Sequence, residues 1–431
     1  MEPRRGAVRS ASARGPHPSE SPMFDILKSL RASQGLRACA TAVFFCGIAA
    51  ASTAPYKSVV AIRELGLSDG AFSALTLTAA IINVLASIYL GMLADRDTGY
   101  RKLLMWLAAI GIAGYAAIFL FPQPAVFVPA LLLPVSIFSG LTPMLFAAGR
   151  VFSDGLPRAD RAAMSSVLRG MVSAAWILVP GMLGFALAGR GSMLPAFLVA
   201  ALAATAVLIV LKLAMPRGGS GDPAKRPPKV SLLGAFGLLA RPAVTLRVVG
   251  TAAITSAIHV HAAVMPLIMT GRAGGTNGDV GITVGIVAGM ELLFLLGWAR
   301  VTRHISTVTT LAIAMALYTG YLGTIALATS PGMIIAGAFL GGTAASALIT
   351  LPLGYLQELI ADRPGLSASL ISLNLFLAGA IAAGLFGFGT TIGSYSTVAF
   401  MGIAAGLAGA LGLVALERWH PLTPAAAEER P

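Results

Sequence analysis

Apolar runs about twenty residues long recur along this chain, each closed off by a short polar connection. Ala71 to Leu90 carries no charged side chain and neither does Leu103 to Phe121; between them lies the charged turn Gly91 to Lys102, GMLADRDTGYRK. Each run is long enough to cross a hydrocarbon core about 30 Å thick as a helix. Two spans joined by so short a turn lie antiparallel. Continued along the chain, the pattern predicts twelve spans: 38–61, 71–94, 103–121, 125–148, 162–187 and 193–214, then 248–270, 280–299, 307–328, 331–353, 366–389 and 395–416. The expected fold class is therefore an all-α membrane protein of twelve transmembrane helices in two six-helix halves, 38–214 and 248–416.

The connection between the halves, 215–247, contains PRGGSGDPAKRPPK and is polar, basic and rich in Gly and Pro, as a linker requires. Residues 1–22 lack an apolar stretch and read as disordered. In 23–37, Phe24, Ile26, Leu27 and Leu30 alternate with Asp25, Lys28 and Arg31, the pattern of a short interfacial helix. Residues 417–431 form a tail.

Charge orients the bundle. With both termini cytoplasmic, 25 of the 30 Lys and Arg fall in cytoplasmic segments, and shifting the register by one span would invert that bias. The chain is thus expected to be a multi-pass protein of the cytoplasmic membrane. The five exceptions are Lys57, Arg63, Arg169, Arg190 and Arg272. The net charge of +13 is spread over loops instead of forming one basic stripe with stacking aromatics, so a nucleic-acid partner is not expected.

With 57% apolar and 11% charged residues the composition is that of a membrane protein, and its 49 glycines suit helices that associate in lipid through close backbone approach. GxxxG spacings occur at Gly285/Gly289, Gly337/Gly341 and Gly402/Gly406. Cys39 and Cys46 lie seven positions apart on one helix, about 10 Å along its axis, too far to bridge. No P-loop, CxxC or HExxH occurs. Neither an enzyme nor a cofactor is expected.

The turn at Gly91 resembles the GxxxDRxGRR-type motif of the major facilitator superfamily: Gly91, Asp95, Arg96, Gly99, Arg101 and Lys102 match it, with one extra residue between Arg96 and Gly99. The resemblance implies that this loop latches the two halves in one conformation. GWARVTR, Gly297 to Arg303, stands at the equivalent turn of the second half, a faint internal repeat of the kind transporters use. Finer similarity is to the sugar efflux transporter branch, carried by PMLFAAGR (Pro143 to Arg150), SSVLRGMVSAAWILVP (Ser165 to Pro180), Met265-Pro266-Leu267 with Glu291 downstream, and YLQELIADRPGLSASLISLN (Tyr355 to Asn374). It implies alternating-access export of small sugars or sugar-like compounds, coupled to protons; the alternative is a multidrug/proton antiporter of the same fold. The partners would be a sugar, protons and membrane lipid.

Candidate chemistry concentrates on few side chains. Glu291 is the one acidic residue in the middle of a predicted span, where an uncompensated charge costs about 2.5–3.5 kcal/mol. It should face a cavity, be paired or carry a proton, and is the proton-coupling candidate. Arg169, about 9 Å inside the fifth span, is expected either to meet substrate or to snorkel to the interface. Trp176 offers a flat face for a sugar ring, and Asn374 and Asn83 offer amides either to sugar hydroxyls or to neighbouring helices. His259 and His261, two apart, cannot chelate one metal together; His261 is taken as a cavity candidate. Lys57, after Pro55, is expected to snorkel at the outer end of the first span.

Overall fold

A computed structural model describes residues 33–94, 100–153, 158–187, 189–216, 242–359 and 364–419. Within them are twelve helices long and apolar enough to span a membrane. They are α1 (Gln34–Glu64), α2 (Asp69–Ala94), α3 (Tyr100–Leu120), α4 (Pro124–Phe152), α5 (Arg158–Leu187) and α6 (Pro195–Ala214) in the first half. The second half holds α7 (Pro242–Met269), α8 (Asn277–Val301), α9 (Thr307–Leu327), α10 (Pro331–Glu358), α11 (Pro364–Ile392) and α12 (Tyr395–Trp419). The predicted interfacial helix up to residue 32, most of the linker (217–241), and Asp95, Arg96 and Gly99 lie outside the described residues.

Local chemistry sets the boundaries. Proline, whose missing N–H costs nothing in a first turn, opens α4, α6 and α10. Thr276 and Asp279 close a reciprocal capping box on α8, and Ser306 accepts from the amide of Thr309 to cap α9. Gly66 and Gly274 turn the chain with φ of 72° and 69°.

Helix α7 begins at Pro242, not near 248, and α12 runs to Trp419 instead of ending at 416. The reason is an ion pair inside the second half. Arg247, 3% exposed, donates from Nε to Tyr355 Oη at 3.0 Å and to Glu417 Oε1 at 3.3 Å, and Tyr355 donates to the same carboxylate at 2.7 Å. Charges that read as linker and tail thus neutralise each other and extend two helices.

The two halves use the same pairing scheme. α1 packs against α5 and α6 as α7 packs against α11 and α12; α3 meets α6 as α9 meets α12; α2 meets α4 as α8 meets α10. Across the interface α5 meets α8 and, as its two-fold image, α2 meets α11, while the last part of α1 also packs against α7. The faint sequence echo is therefore a repeat of packing, and it leaves a space between the halves.

Candidate functional site

That space is a cavity of about 2210 Å³ bordered by helices from both halves. Drug-sized ligand pockets run to about 1,000 Å³, so this is an open vestibule, not a closed site. It reaches down to Leu90, Ala147 and Ser372, toward the end of the bundle where α1 starts and α12 finishes.

The opposite, far end is shut by contacts between the halves. Arg63, at the end of α1, donates Nη1 to Thr270 O at 2.9 Å and Nη2 to Leu267 O at 2.7 Å, capping the C-terminus of α7, where free carbonyls and the helix dipole favour a cation. Gly271 leaves room for the guanidinium, which a Cβ there would strike. Tyr395 Oη donates to Asp69 Oδ1 at 2.9 Å, and Ser73 Oγ donates to Ala383 O at 2.7 Å. Where α5 crosses α8, Gly184 and Gly281 bring the backbones together, and a Cβ on Gly281 would collide with the Pro180 carbonyl, which already accepts from Tyr56 Oη at 3.0 Å. Arg272 makes a similar clamp within the second half, from Nε to Ala328 O at 3.0 Å and from Nη2 to Ala326 O at 2.5 Å. Two of the five basic side chains that break the charge rule are thus helix-end caps.

Glu291 borders the cavity, one of the three situations expected for it, with no hydrogen-bond or ion-pair partner among the described residues. Trp176 and Asn83 border it too; the Asn83 amide donates to Ser139 Oγ, tying α2 to α4 at the wall. His261 Nε2 shares a 2.9 Å hydrogen bond with Tyr321 Oη, its ring among the rings of Tyr318 and Tyr321 on α9. His259 borders the same cavity and is exposed to it. No cluster of metal-ligating side chains exists among the described residues.

Two expected sugar contacts stand elsewhere. Asn374 is 1% exposed and outside the lining; its Oδ1 accepts from Thr251 Oγ1 at 2.9 Å, so its amide joins α11 to α7 instead of facing a solute. Arg169 shares a helix face with Trp176 but sits two turns nearer the open end, exposed and outside the lining. Of the proposed latch, Gly91 lies in the last turn of α2, while Arg101 turns back into its own half, donating Nε to Leu211 O at 3.0 Å and a second nitrogen to Lys212 O at the end of α6.

Lys57 corrects the sequence reading in the other direction. It borders the cavity instead of reaching for the far surface. The regular α-helix of α1 stops at Thr53, gives way to a 3₁₀ turn at Ala54–Tyr56 and finishes as a π-helical turn, Val60–Glu64. Such irregular turns re-aim side chains. Thr53, Lys57 and Ser58 all reach the cavity from this segment. The available signal was Pro55 two residues before a lysine in an otherwise apolar span.

Comparison with known proteins follows the same lines. A family model described as Major Facilitator Superfamily matches residues 39–270. A putative sugar efflux transporter of Deinococcus radiodurans is 27% identical over 349 residues, 80% of this chain and 88% of the relative. Sugar efflux transporter C of Escherichia coli is 25% identical over 363 residues, 84% of this chain and 90% of the relative. Among solved structures, a mutant of the nucleoside transporter NupG superposes with a TM-score of 0.73 at 12% identity, covering 88% of this chain and 99% of the other. A mutant of the peptide transporter POT gives 0.72 at 17% identity, covering 89% and 94%. At such identities the structures establish the shared fold.

Proposed function

Because this chain belongs to the major facilitator superfamily, we propose that it is a secondary carrier exporting small sugars or sugar-like compounds across the cytoplasmic membrane by alternating access, with both termini cytoplasmic and Glu291 coupling transport to protons. The observation that carries this reading is the central cavity: it is bordered by both halves, reaches toward the end where α1 starts, is shut at the other by contacts between the halves, and holds a carboxyl with no hydrogen-bond or ion-pair partner among the described residues. The sugar class rests on the relatives named as sugar efflux transporters.

Breaking the far-end contacts of Arg63, Asp69 and Ser73 while closing α2, α4, α8 and α11 over the open end would present the same lining to the other side. Glu291 carries a charge when it has released its proton and none when it holds one. Its state therefore changes the cost of closing the cavity around it. In this state Arg101 holds the end of α6 in its own half and does not tie the latch loop to the second half.

The test is uptake of labelled sugars into proteoliposomes with and without a pH gradient, for wild type and Glu291→Gln. Gradient-driven accumulation should vanish in Glu291→Gln while exchange without a gradient persists. Full accumulation by the variant would end the coupling assignment. Transport of lipophilic cations and of no sugar would reassign the chain to drug export.

A further inference from the structure

The cavity is lined by two groups of opposite full charge, Lys57 on α1 and Glu291 on α8, and the structure does not pair them. Lys57 has no hydrogen-bond or ion-pair partner among the described residues, nor has His259. Ser58, 2% exposed and bordering the same cavity, has a buried hydroxyl with no partner.

These three groups are close in depth. α1 and α7 run in the same direction, and Arg63 docks beside Leu267 and Thr270. Six residues back from Arg63, about 9 Å at 1.5 Å per residue, Lys57 is level with residues 261–264 of α7, one turn from His259. The Lys57–Val59 segment packs against α7 directly.

Such an arrangement points to a ligand. An uncompensated ammonium in a bundle of apolar helices is costly, and buried hydroxyls without partners are rare. When Glu291 holds a proton, Lys57 is the one full charge left among the described residues of the lining. A ligand that brings a negative charge and hydroxyls would satisfy Lys57, Ser58 and His259 at once, all of which can donate.

We propose that Lys57, Ser58 and His259 form an anion subsite in the central cavity, and that the preferred cargo is a sugar bearing one carboxylate, a uronic or aldonic acid. A single carboxylate matches the single ammonium, while a phosphate ester would bring nearly two negative charges. The proposal rests on the sugar-carrier reading and deepens it.

The test is exchange without a pH gradient in proteoliposomes of the full chain, preloaded with each solute in turn: glucuronate, gluconate, glucose and glucose 6-phosphate. Wild type should exchange the two acids at least tenfold faster than glucose. Lys57→Gln should lower acid exchange tenfold or more and leave glucose within twofold, and Lys57→Arg should restore acid exchange to within threefold. The arginine variant and the retained glucose exchange separate this from misfolding. Glucose exchanged in preference to the acids, or equal losses for both in Lys57→Gln, would overturn the subsite while sparing the carrier. Preference for the phosphate ester would overturn the carboxylate assignment. Exchange of none of the four would overturn both the subsite and the sugar reading.

Discussion

Replacing Arg63 with Ala removes two hydrogen bonds from a cation to the carbonyls of Leu267 and Thr270, bonds that join the halves at the closed end. Hydrogen bonds involving a charged group contribute about 1.5–3 kcal/mol each. Arg63 is exposed, so solvent screening reduces the pair to about 2 kcal/mol in total. At 1.4 kcal/mol per tenfold, that is about a 30-fold shift toward the state open at the far end. A hundredfold preference for the present state would fall to about threefold.

The readout is labelling of a single cavity cysteine, Ala262→Cys, by a membrane-impermeant maleimide applied from either side. Cys39 and Cys46 are buried and are replaced in the background. With Arg63 present, labelling should come from the open end only; with Arg63→Ala, labelling from the far side should rise by an order of magnitude or more. Gly271→Ala, whose Cβ displaces the same guanidinium, should act in the same direction. Unchanged far-side labelling in both variants, with normal labelling from the open end, would refute the claim that this clamp holds the far end shut.

Other perturbations separate packing from transport. Gly281→Ala sets a methyl against the Pro180 carbonyl and should cost about 1–3 kcal/mol of stability or far-end closure, read as a lowered thermal midpoint in detergent or as the same gain in far-side labelling. Arg247→Met takes the cation from the Glu417 carboxylate, which is 22% exposed and keeps the Tyr355 hydroxyl, and should lower stability by about 3 kcal/mol in denaturant unfolding; the double change with Glu417→Leu should recover most of it. Asn374→Ala should cost about 1 kcal/mol, because the Thr251 hydroxyl can still give its one proton to Arg247 O or Val248 O, and should leave the KM for cargo unchanged. A large rise in KM would return Asn374 to the cargo site.

Most of the architecture was legible in the chain. Runs of about twenty apolar residues are forced by the absence of water in a bilayer core, so their number and order show without any structure. For the same reason Glu291 stood out, since a carboxyl in such a run needs a cavity, a partner or a proton, and the structure sets it at the cavity. The phase of each helix was not legible. In lipid both the outward face and the packed face are apolar, so no hydrophobic stripe marks which side of a span meets its neighbours. Tertiary packing alone turned Asn374 into a tie between α11 and α7, set Arg169 beyond the cavity, and brought Lys57 into it through an irregular turn of α1. It also decided which end is shut, because that depends on contacts such as Arg63 to Thr270, 207 positions apart, whose two partners have no local signal of one another.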